Sequence, residues 1–384
     1  MRGRFDVIIV GLGPAGAAAA VVLARGGARV LALDARPRHD KPCGGCISAR
    51  AMGYLDFLDP PNWLQNQPVA SLFLEYPGHS SRRFVTGQTA AYLVERRRLD
   101  DFLRQRVGES GAEVVSGRAR ALASEPDGWR VRSSAAEWRG TWLLGADGAA
   151  GLVGRTLGLG RTGFVYKALV EERPLPDHLA PRLAGAALLD LGGAPGGYAW
   201  AFGRQGVLNL GLAGRLGRTA GRAQLLERYQ GFLARLGLGR PGAWRGALIP
   251  CPDGRRPRLA QGRAAVIGDA AASADPFLGE GIGQALHSGL LAAQAILAGD
   301  LAGYQVRMTS GLFREHFHAR QLARLVYGAP ARFQGLAQRH PGAIELVWQV
   351  LRGQRNYAGI WGGVARMSLQ RLTGASGPQA SLDQ

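Results

Sequence analysis

The sequence predicts an α/β fold: an open, mainly parallel sheet with helices on its faces, interrupted by an inserted, mainly β unit and followed by a helical C-terminal region. Three observations predict it. The apolar run Phe5-Asp6-Val7-Ile8-Ile9-Val10 leads through a glycine-rich turn into a helical pattern from Ala17 to Arg25. Strand-like runs ending in an acid recur at Asp34, Asp147 and Asp269. Between them, residues 69–86 and 160–250 carry short alternating runs separated by turn residues, the spacing of a sheet.

The first element carries chemistry. In Gly11-Leu12-Gly13-Pro14-Ala15-Gly16, Gly11 permits a sharp turn. Gly13 has no Cβ to hold a pyrophosphate off the main chain, and Gly16 lets the helix press against the strand. An anion then meets free N–H groups at a helix N-terminus. The next strand, 28–33, ends at Asp34, 23 residues after Gly11 and placed to accept a ribose hydroxyl. With 58 glycines in 384 residues, GxGxxG arises by chance about once. It recurs at Gly158–Gly163, where no strand precedes and no helix follows, so that match reads as a glycine-rich loop.

Length suggests two to three domains. No leader pattern precedes the first strand and no apolar run of 18 residues exists, so a cytoplasmic chain, or one peripheral on the cytoplasmic membrane face, is expected. Cys43, Cys46 and Cys251 are too few for a disulfide framework or a structural zinc site, and no metal is expected. The balance of 47 basic against 28 acidic residues gives +19. Only Lys41 and Lys167 are lysines, which reflects compositional bias toward arginine. The shortage of carboxylates still favours an anionic partner: membrane surface or acidic redox protein. Zinc-finger spacing, heptads and an RNA-binding aromatic pattern are absent, so nucleic acid is not expected.

After Asp34, Lys41-Pro42-Cys43-Gly44-Gly45-Cys46 runs along the nucleotide. It reads as a dithiol pair, as a loop with a buried structural cysteine, or as backbone pressed against a flat ring with the Cys43 thiol beside it. A helix is expected over 96–106, then three short strands and the run 141–144 ending in Gly145-Ala146-Asp147-Gly148. Asp147 serves equally as a turn cap or a ligand contact.

In the inserted unit Tyr198, Trp200 and Phe202 are spaced by two and share one face of a strand, either as ordinary sheet core or as the wall of an apolar channel. The chain then returns through a strand at 263–267 to Gly268-Asp269-Ala270-Ala271. Next comes Asp275-Pro276-Phe277-Leu278-Gly279-Glu280-Gly281-Ile282-Gly283, opening a helix to about Leu297. Glycines at such a helix start leave N–H groups to face an anion or the electron-rich edge of a ring, which suits a reduced flavin.

With this segment the chain resembles the FAD-dependent superfamily of p-hydroxybenzoate hydroxylase. The resemblance rests on GLGPAG, Asp34, the Arg96-x-x-Leu99-Asp100 segment, GADG and GDAAASADPFLGEGIG in this order. KPCGG, GYAWAF and DPFLGEGI narrow it to the geranylgeranyl reductase family, over residues 5 to about 300. The resemblance implies a discontinuous, Rossmann-like FAD-binding domain (1–68, 87–158 and 251–300), a substrate-binding sheet domain (69–86 and 159–250) and a helical C-terminal region (301–384). It implies FAD binding by Gly11, Gly13, Pro14, Ala15, Gly16, Asp34, Arg96, Asp147, Asp269, Gly279, Gly281 and Ile282, with Cys43, Gly44 and Gly45 beside the flavin. A prenyl tunnel over Tyr198, Trp200 and Phe202 follows. Gly203 and Gly151 depart from the family pattern, which has proline and serine there, and Cys46 stands where many relatives have another small residue.

The activity implied is saturation of isolated C=C bonds in a geranylgeranyl or other polyprenyl chain, by hydride from flavin N5 and a proton for which Cys43 and Tyr198 are the candidates. Electrons would come from a transient NAD(P)H or a ferredoxin, since no second nucleotide motif has the required context. A flavin monooxygenase of the same fold is the alternative, although Ala272 stands where such enzymes usually carry histidine. A non-enzymatic binder of anionic surfaces would leave three cofactor motifs without purpose. Over 301–384, ten arginines against three acids, interleaved with Phe313, Phe317, Trp348, Tyr357, Ile360, Trp361 and Met367, suggest a basic helical surface with aromatic anchors on an anionic membrane, or else aromatics that pack inward.

Overall fold

The structure, a computed structural model, describes residues 4–35, 41–160, 164–215 and 222–363. Its first sheet grows from Phe5–Val10, five of whose six residues are buried because both faces are covered by helices. Strands Val30–Asp34 and Glu137–Gly145 flank it in parallel, with Val10 opposite both Leu33 and Gly145. Glu113–Ser116 and Ala264–Val266 extend the sheet on its two sides, again in parallel. All these strands present their carboxyl ends to one edge, where Gly11, Asp34 and Asp147 emerge.

The helix Pro14–Arg25 starts three residues before the run read from sequence, because proline is well suited to a first helical position. It packs tightly on the helix Ile282–Leu297 through small residues. A Cβ on Gly289 would lie 2.3 Å from the carbonyl oxygen of Ala15, so only glycine permits this approach. The segment returning at 264–297 is thereby locked beside the segment that begins the chain.

The second sheet is ordered Trp244–Cys251, Phe164–Pro174, Val207–Gly214, Tyr198–Arg204, Ala186–Asp190, Ser71–Glu75, Arg82–Val85. Its pairings are antiparallel except for Ala186–Asp190 with Ser71–Glu75, which come from distant parts of the chain. The edge strand Trp244–Cys251 is absent from the sequence reading; it pairs along Phe164–Pro174 and carries the sheet on to Cys251. One face is covered by the helix Arg222–Arg235, through Tyr229, Phe232 and Leu233. The opposite face carries Ala168, Val170, Ala187, Trp200, Phe202 and Ala213. A three-stranded sheet of Cys46–Ser48, Ala91–Leu93 and Pro68–Val69 lies at the crossings between the two.

Helices Leu301–Ser310, Leu312–Gly328, Pro330–Arg339 and Gly342–Leu351, with a further turn of helix at 357–363, follow. The surface anchors expected here are mostly interior: Phe313, Trp348, Tyr357 and Ile360 are buried and Trp361 is half-buried, whereas Phe317 is 49% exposed. Trp348, Tyr357, Ile360 and Trp361 pack with the apolar face of the second sheet, whereas Phe313 packs into the core around the first sheet. Met367, Arg366, Arg371 and Asp383, and residues 161–163 of the second glycine match, lie outside the described residues.

Candidate functional site

A single continuous cavity of about 860 Å³ runs from the Gly11–Ala15 turn, past Cys43, Gly44 and Gly45, to the C-terminal helices. The fifteen positions assigned from sequence to the cofactor, with the exception of Gly16, line it, and so do Tyr198, Trp200 and Phe202. Gly16 acts from behind the turn. A Cβ there would meet the Gly11 carbonyl oxygen at 2.1 Å, so its role is close packing.

Gly11 has φ +102° and its Cβ would fall 2.3 Å from the carbonyl oxygen of Ala146, which fixes glycine at the turn. Gly13 differs: no atom lies within 4 Å of its Cβ position, and it faces the cavity. No side chain caps the helix that starts at Pro14, nor the one that starts at Ile282 after Gly281. Two helix N-termini thus offer main-chain N–H groups to one cavity, an arrangement that favours anionic groups.

The acids are each held differently. Asp34 Oδ2 accepts from Arg104 Nε at 2.8 Å, a partner the sequence reading missed although it lies on the helix Arg96–Glu109. Asp269 pairs with Lys41 Nζ at 2.6 Å. Asp147 Oδ2 accepts from the Val153 N–H at 3.0 Å, while Oδ1 is buried with no protein partner. Burial pushes the Asp147 carboxyl up, with the backbone hydrogen bonds opposing. The space Oδ1 occupies exists because residue 151 is glycine: a Cβ would sit 2.1 Å from it. An open cradle at Gly13, two uncapped helix starts and an orphaned acceptor at Asp147 fit a dinucleotide-sized ligand with an anionic centre, such as FAD.

Arg96 lines the cavity, but its guanidinium is engaged. Nε pairs with Asp100 Oδ1 at 2.9 Å, and Cys43 lies within the electrostatic reach of the guanidinium. Cys43 Sγ further accepts from the Gly45 N–H at 3.3 Å. Cys43, Cys46 and Cys251 are all free thiols. Burial, with Glu280 and Cys43 adding to it, pushes the Cys46 thiol up to about 12, so the CxxC segment does not present a reactive pair of thiolates.

At Gly44 the main chain lies against aromatic rings: a Cβ would stand 3.2 Å from Phe202 and 3.3 Å from Trp200 Nε1. Trp200 is stacked on Phe202 with centroids 6.2 Å apart and meets Tyr198 edge-on at 6.1 Å. Tyr198 donates its hydroxyl to the Leu278 carbonyl, and burial pushes its acidity far down. Beyond these rings the lining is apolar: Leu72, Leu74, Leu189 and Leu191 from the sheet, and Val326, Phe333, Ile344, Val347, Trp348 and Leu351 from the C-terminal helices. The helical contribution was not read from sequence, because long-range closure leaves no local pattern. Asn209 was missed as well. It lies opposite Phe202 in the sheet, and its side chain bridges Trp200 to the Cys43 carbonyl.

Comparison with known proteins agrees with this geometry. A family model described as "FAD binding domain" matches residues 4–171. The menaquinone reductase of Mycobacterium tuberculosis is 32% identical over 357 residues, covering 84% of each chain. The chloroplastic geranylgeranyl diphosphate reductase of Oryza sativa is 29% identical over 345 residues, 81% of this chain and 70% of that one. A crystal structure of a geranylgeranyl bacteriochlorophyll reductase-like protein from Thermoplasma acidophilum superposes with a TM-score of 0.73 at 24% identity, covering 84% of this chain and 88% of the other. An FAD-binding fold whose cavity passes from a nucleotide cradle into an apolar tunnel, with relatives of this kind over most of its length, places the chain in the geranylgeranyl reductase family of FAD-dependent oxidoreductases.

Proposed function

We propose that this oxidoreductase saturates isolated C=C bonds in the prenyl chain of a neutral or lipid-borne polyprenyl compound. The observation that carries the reading is the join between two environments in one cavity. The cradle of Gly11, Gly13 and Asp147 opens directly onto a tunnel walled by Trp200, Leu189, Val347 and Trp348. Among the described residues, no charged side chain lines the tunnel beyond Glu280, which suits a hydrocarbon chain and gives a polar aromatic substrate little to hold.

When bound, FAD supplies the hydride, and a nicotinamide or ferredoxin donor would restore it. Gly11, Gly13, Ala15 and the Ile282 helix start would hold the anionic centre, with Asp34 on the ribose and the Cys43–Gly45 main chain along the ring. Trp200 and Phe202 lie against that main chain at Gly44, and would exclude water from the reacting bond. Their ring faces would also stabilise positive charge developing on an alkene carbon, by about 0.5–2 kcal/mol. Tyr198, tied to the Leu278 carbonyl, serves as wall.

A lipid-borne chain has to be drawn from a membrane. The outer face of the Leu312–Gly328 helix, with Phe317 and Leu325 exposed among arginines, is our candidate for that contact. The test of the activity is direct: anaerobically reduced protein is mixed with polyprenyl compounds and the products are weighed by mass spectrometry. A gain of two mass units per bond with oxidation of the flavin supports the reading. Unchanged prenyl chains together with oxygen-dependent hydroxylation of an aromatic compound would replace it with the monooxygenase.

A further inference from the structure

Saturating an isolated C=C bond takes a proton as well as a hydride, and neither residue suggested by the sequence is well placed to give one. The Tyr198 hydroxyl is committed to a carbonyl, and the Cys43 sulfur accepts from the Gly45 N–H, with the positive charge of Arg96 near it. Among the described residues, four carboxyl side chains line the cavity. Asp34 is paired with Arg104 and Asp269 with Lys41, and Asp147 stands at the nucleotide cradle beside the start of the Leu152–Leu157 helix. Glu280 is the fourth. It follows Gly279, whose missing Cβ would lie 3.6 Å from the Tyr198 hydroxyl, and precedes the Ile282 helix start, so it stands where the cradle passes into the tunnel.

Its side chain is built in. Oε1 accepts from Ser48 Oγ at 2.7 Å and from the Ser48 N–H at 3.2 Å. Oε2 has only a long contact, 3.4 Å, from Gln284 Nε2. One oxygen is thus satisfied by donors while the other is left for a proton. The charged and titratable groups around it are Cys46 on the short strand, Arg50 and Tyr54 on the segment that follows, Asp275, and Tyr357 from the C-terminal turn. Near Arg50 stand His287 and His316, and Arg50 pairs with Glu315 at 3.2 Å; Glu315 and His316 lie on the Leu312–Gly328 helix.

We propose that Glu280 is the acid that protonates the alkene, a role that rests on the prenyl-reductase reading above. The O–H bond at Oε2 breaks as its proton forms a C–H bond to one alkene carbon. The hydride of the reduced flavin forms the second C–H bond at the other carbon, and the products are the saturated bond, oxidised flavin and the Glu280 carboxylate. Ser48 and Arg50 stabilise that carboxylate, which regains its proton from solvent when product leaves. Burial supports the starting state: it pushes the Glu280 carboxyl up, against the hydrogen bond from Ser48 and the charge of Arg50, with Asp275 adding to the rise.

The test uses Glu280→Gln and Glu280→Asp in the full chain. Infrared spectra of the apoprotein at pH 7 should contain the C=O stretch of a protonated carboxyl that Glu280→Gln removes and Glu280→Asp shifts. In single turnover, prenyl-driven oxidation of the reduced flavin should slow by about 10²–10⁴-fold in Glu280→Gln, with substrate affinity unchanged and partial recovery in Glu280→Asp. An unaltered carboxyl band, or a Glu280→Gln rate within threefold of the parent, overturns the proposal alone. If the parent protein reduces no prenyl chain, the functional reading itself falls and this role with it. Should Glu280→Gln not fold, Glu280→Asp retains the acid and is judged by the same band and rate.

Discussion

The indole N–H of Trp200 donates to Asn209 Oδ1 at 2.9 Å, and the same amide donates through Nδ2 to the Cys43 carbonyl at 3.0 Å. One side chain of the second sheet thus fixes both the apolar wall at Trp200 and the main chain at Cys43. Asn209→Ala should leave a buried indole N–H and a carbonyl without their partner, at a cost of about 1–3 kcal/mol in stability. It should also weaken FAD binding although residue 209 is outside the nucleotide motifs. Thermal melts with and without FAD check this; an unchanged FAD affinity would mean that the Cys43 loop is held without Asn209.

Two glycines two residues apart should behave oppositely. Gly13→Val places its side chain in open cavity, so the apoprotein should melt as the parent does while FAD binding is lost. Gly11→Ala meets the Ala146 carbonyl oxygen at 2.3 Å with φ at +102°, and should destabilise the fold by about 1–3 kcal/mol from the backbone alone. Flavin fluorescence quenching and melting temperatures, read on both variants, separate the two roles.

How far the sequence carried this picture depended on how local each feature is. Strand, turn, helix and acid at 5–34 are written in consecutive residues, and so is the period-two face of Tyr198, Trp200 and Phe202. Trp244–Cys251 was not legible, because an edge strand interrupted by glycine and proline carries no clean alternation. Nor were Asn209, Arg104 and Glu280 as members of the site. Their partners lie 166, 70 and 232 residues away, and only the fold brings them together. The inward turn of Trp348 and Tyr357 was one of two readings of a basic, aromatic segment, and composition alone could not choose between them.

The tunnel's far end is built by the C-terminal helices, which predicts a length filter. Val347 lines the cavity and is half-buried. Val347→Trp should fill that end, reducing turnover on long prenyl chains at least tenfold while short chains and flavin absorbance are retained. Equal loss for short and long chains would place the substrate elsewhere in the cavity.

His316 is buried with neither ring nitrogen bonded, and burial, with Arg50 and His287 adding, pushes it down to about 3. The sign follows from linkage: between about pH 6.5 and 3 the unfolded chain binds a proton that the folded chain does not, so this residue makes stability fall as pH falls through that window. The slope is at most about 1.4 kcal/mol per pH unit. His316→Leu should remove the contribution, and denaturant midpoints of the two proteins at pH 7 and pH 5 should differ by more for the parent. Equal differences would mean that His316 is protonated in the fold.

No helix among the described residues is long and apolar enough to cross a membrane, so contact with a lipid-borne substrate requires a surface. On the helix Leu312–Gly328, Phe317 and Leu325 stand eight residues apart on one face and are 49% and 60% exposed, with Arg314 and Arg324 also exposed. Apolar side chains would enter the headgroup boundary while the arginines contribute about 1 kcal/mol each near an anionic surface, a term that salt screens. The protein should float with vesicles containing phosphatidylglycerol, bind less as salt rises, and lose binding in Phe317→Ser with Leu325→Ser, two exposed positions whose replacement should leave the melt close to the parent's. Absence of flotation, or equal binding to neutral phosphatidylcholine vesicles, rejects this face as the docking surface.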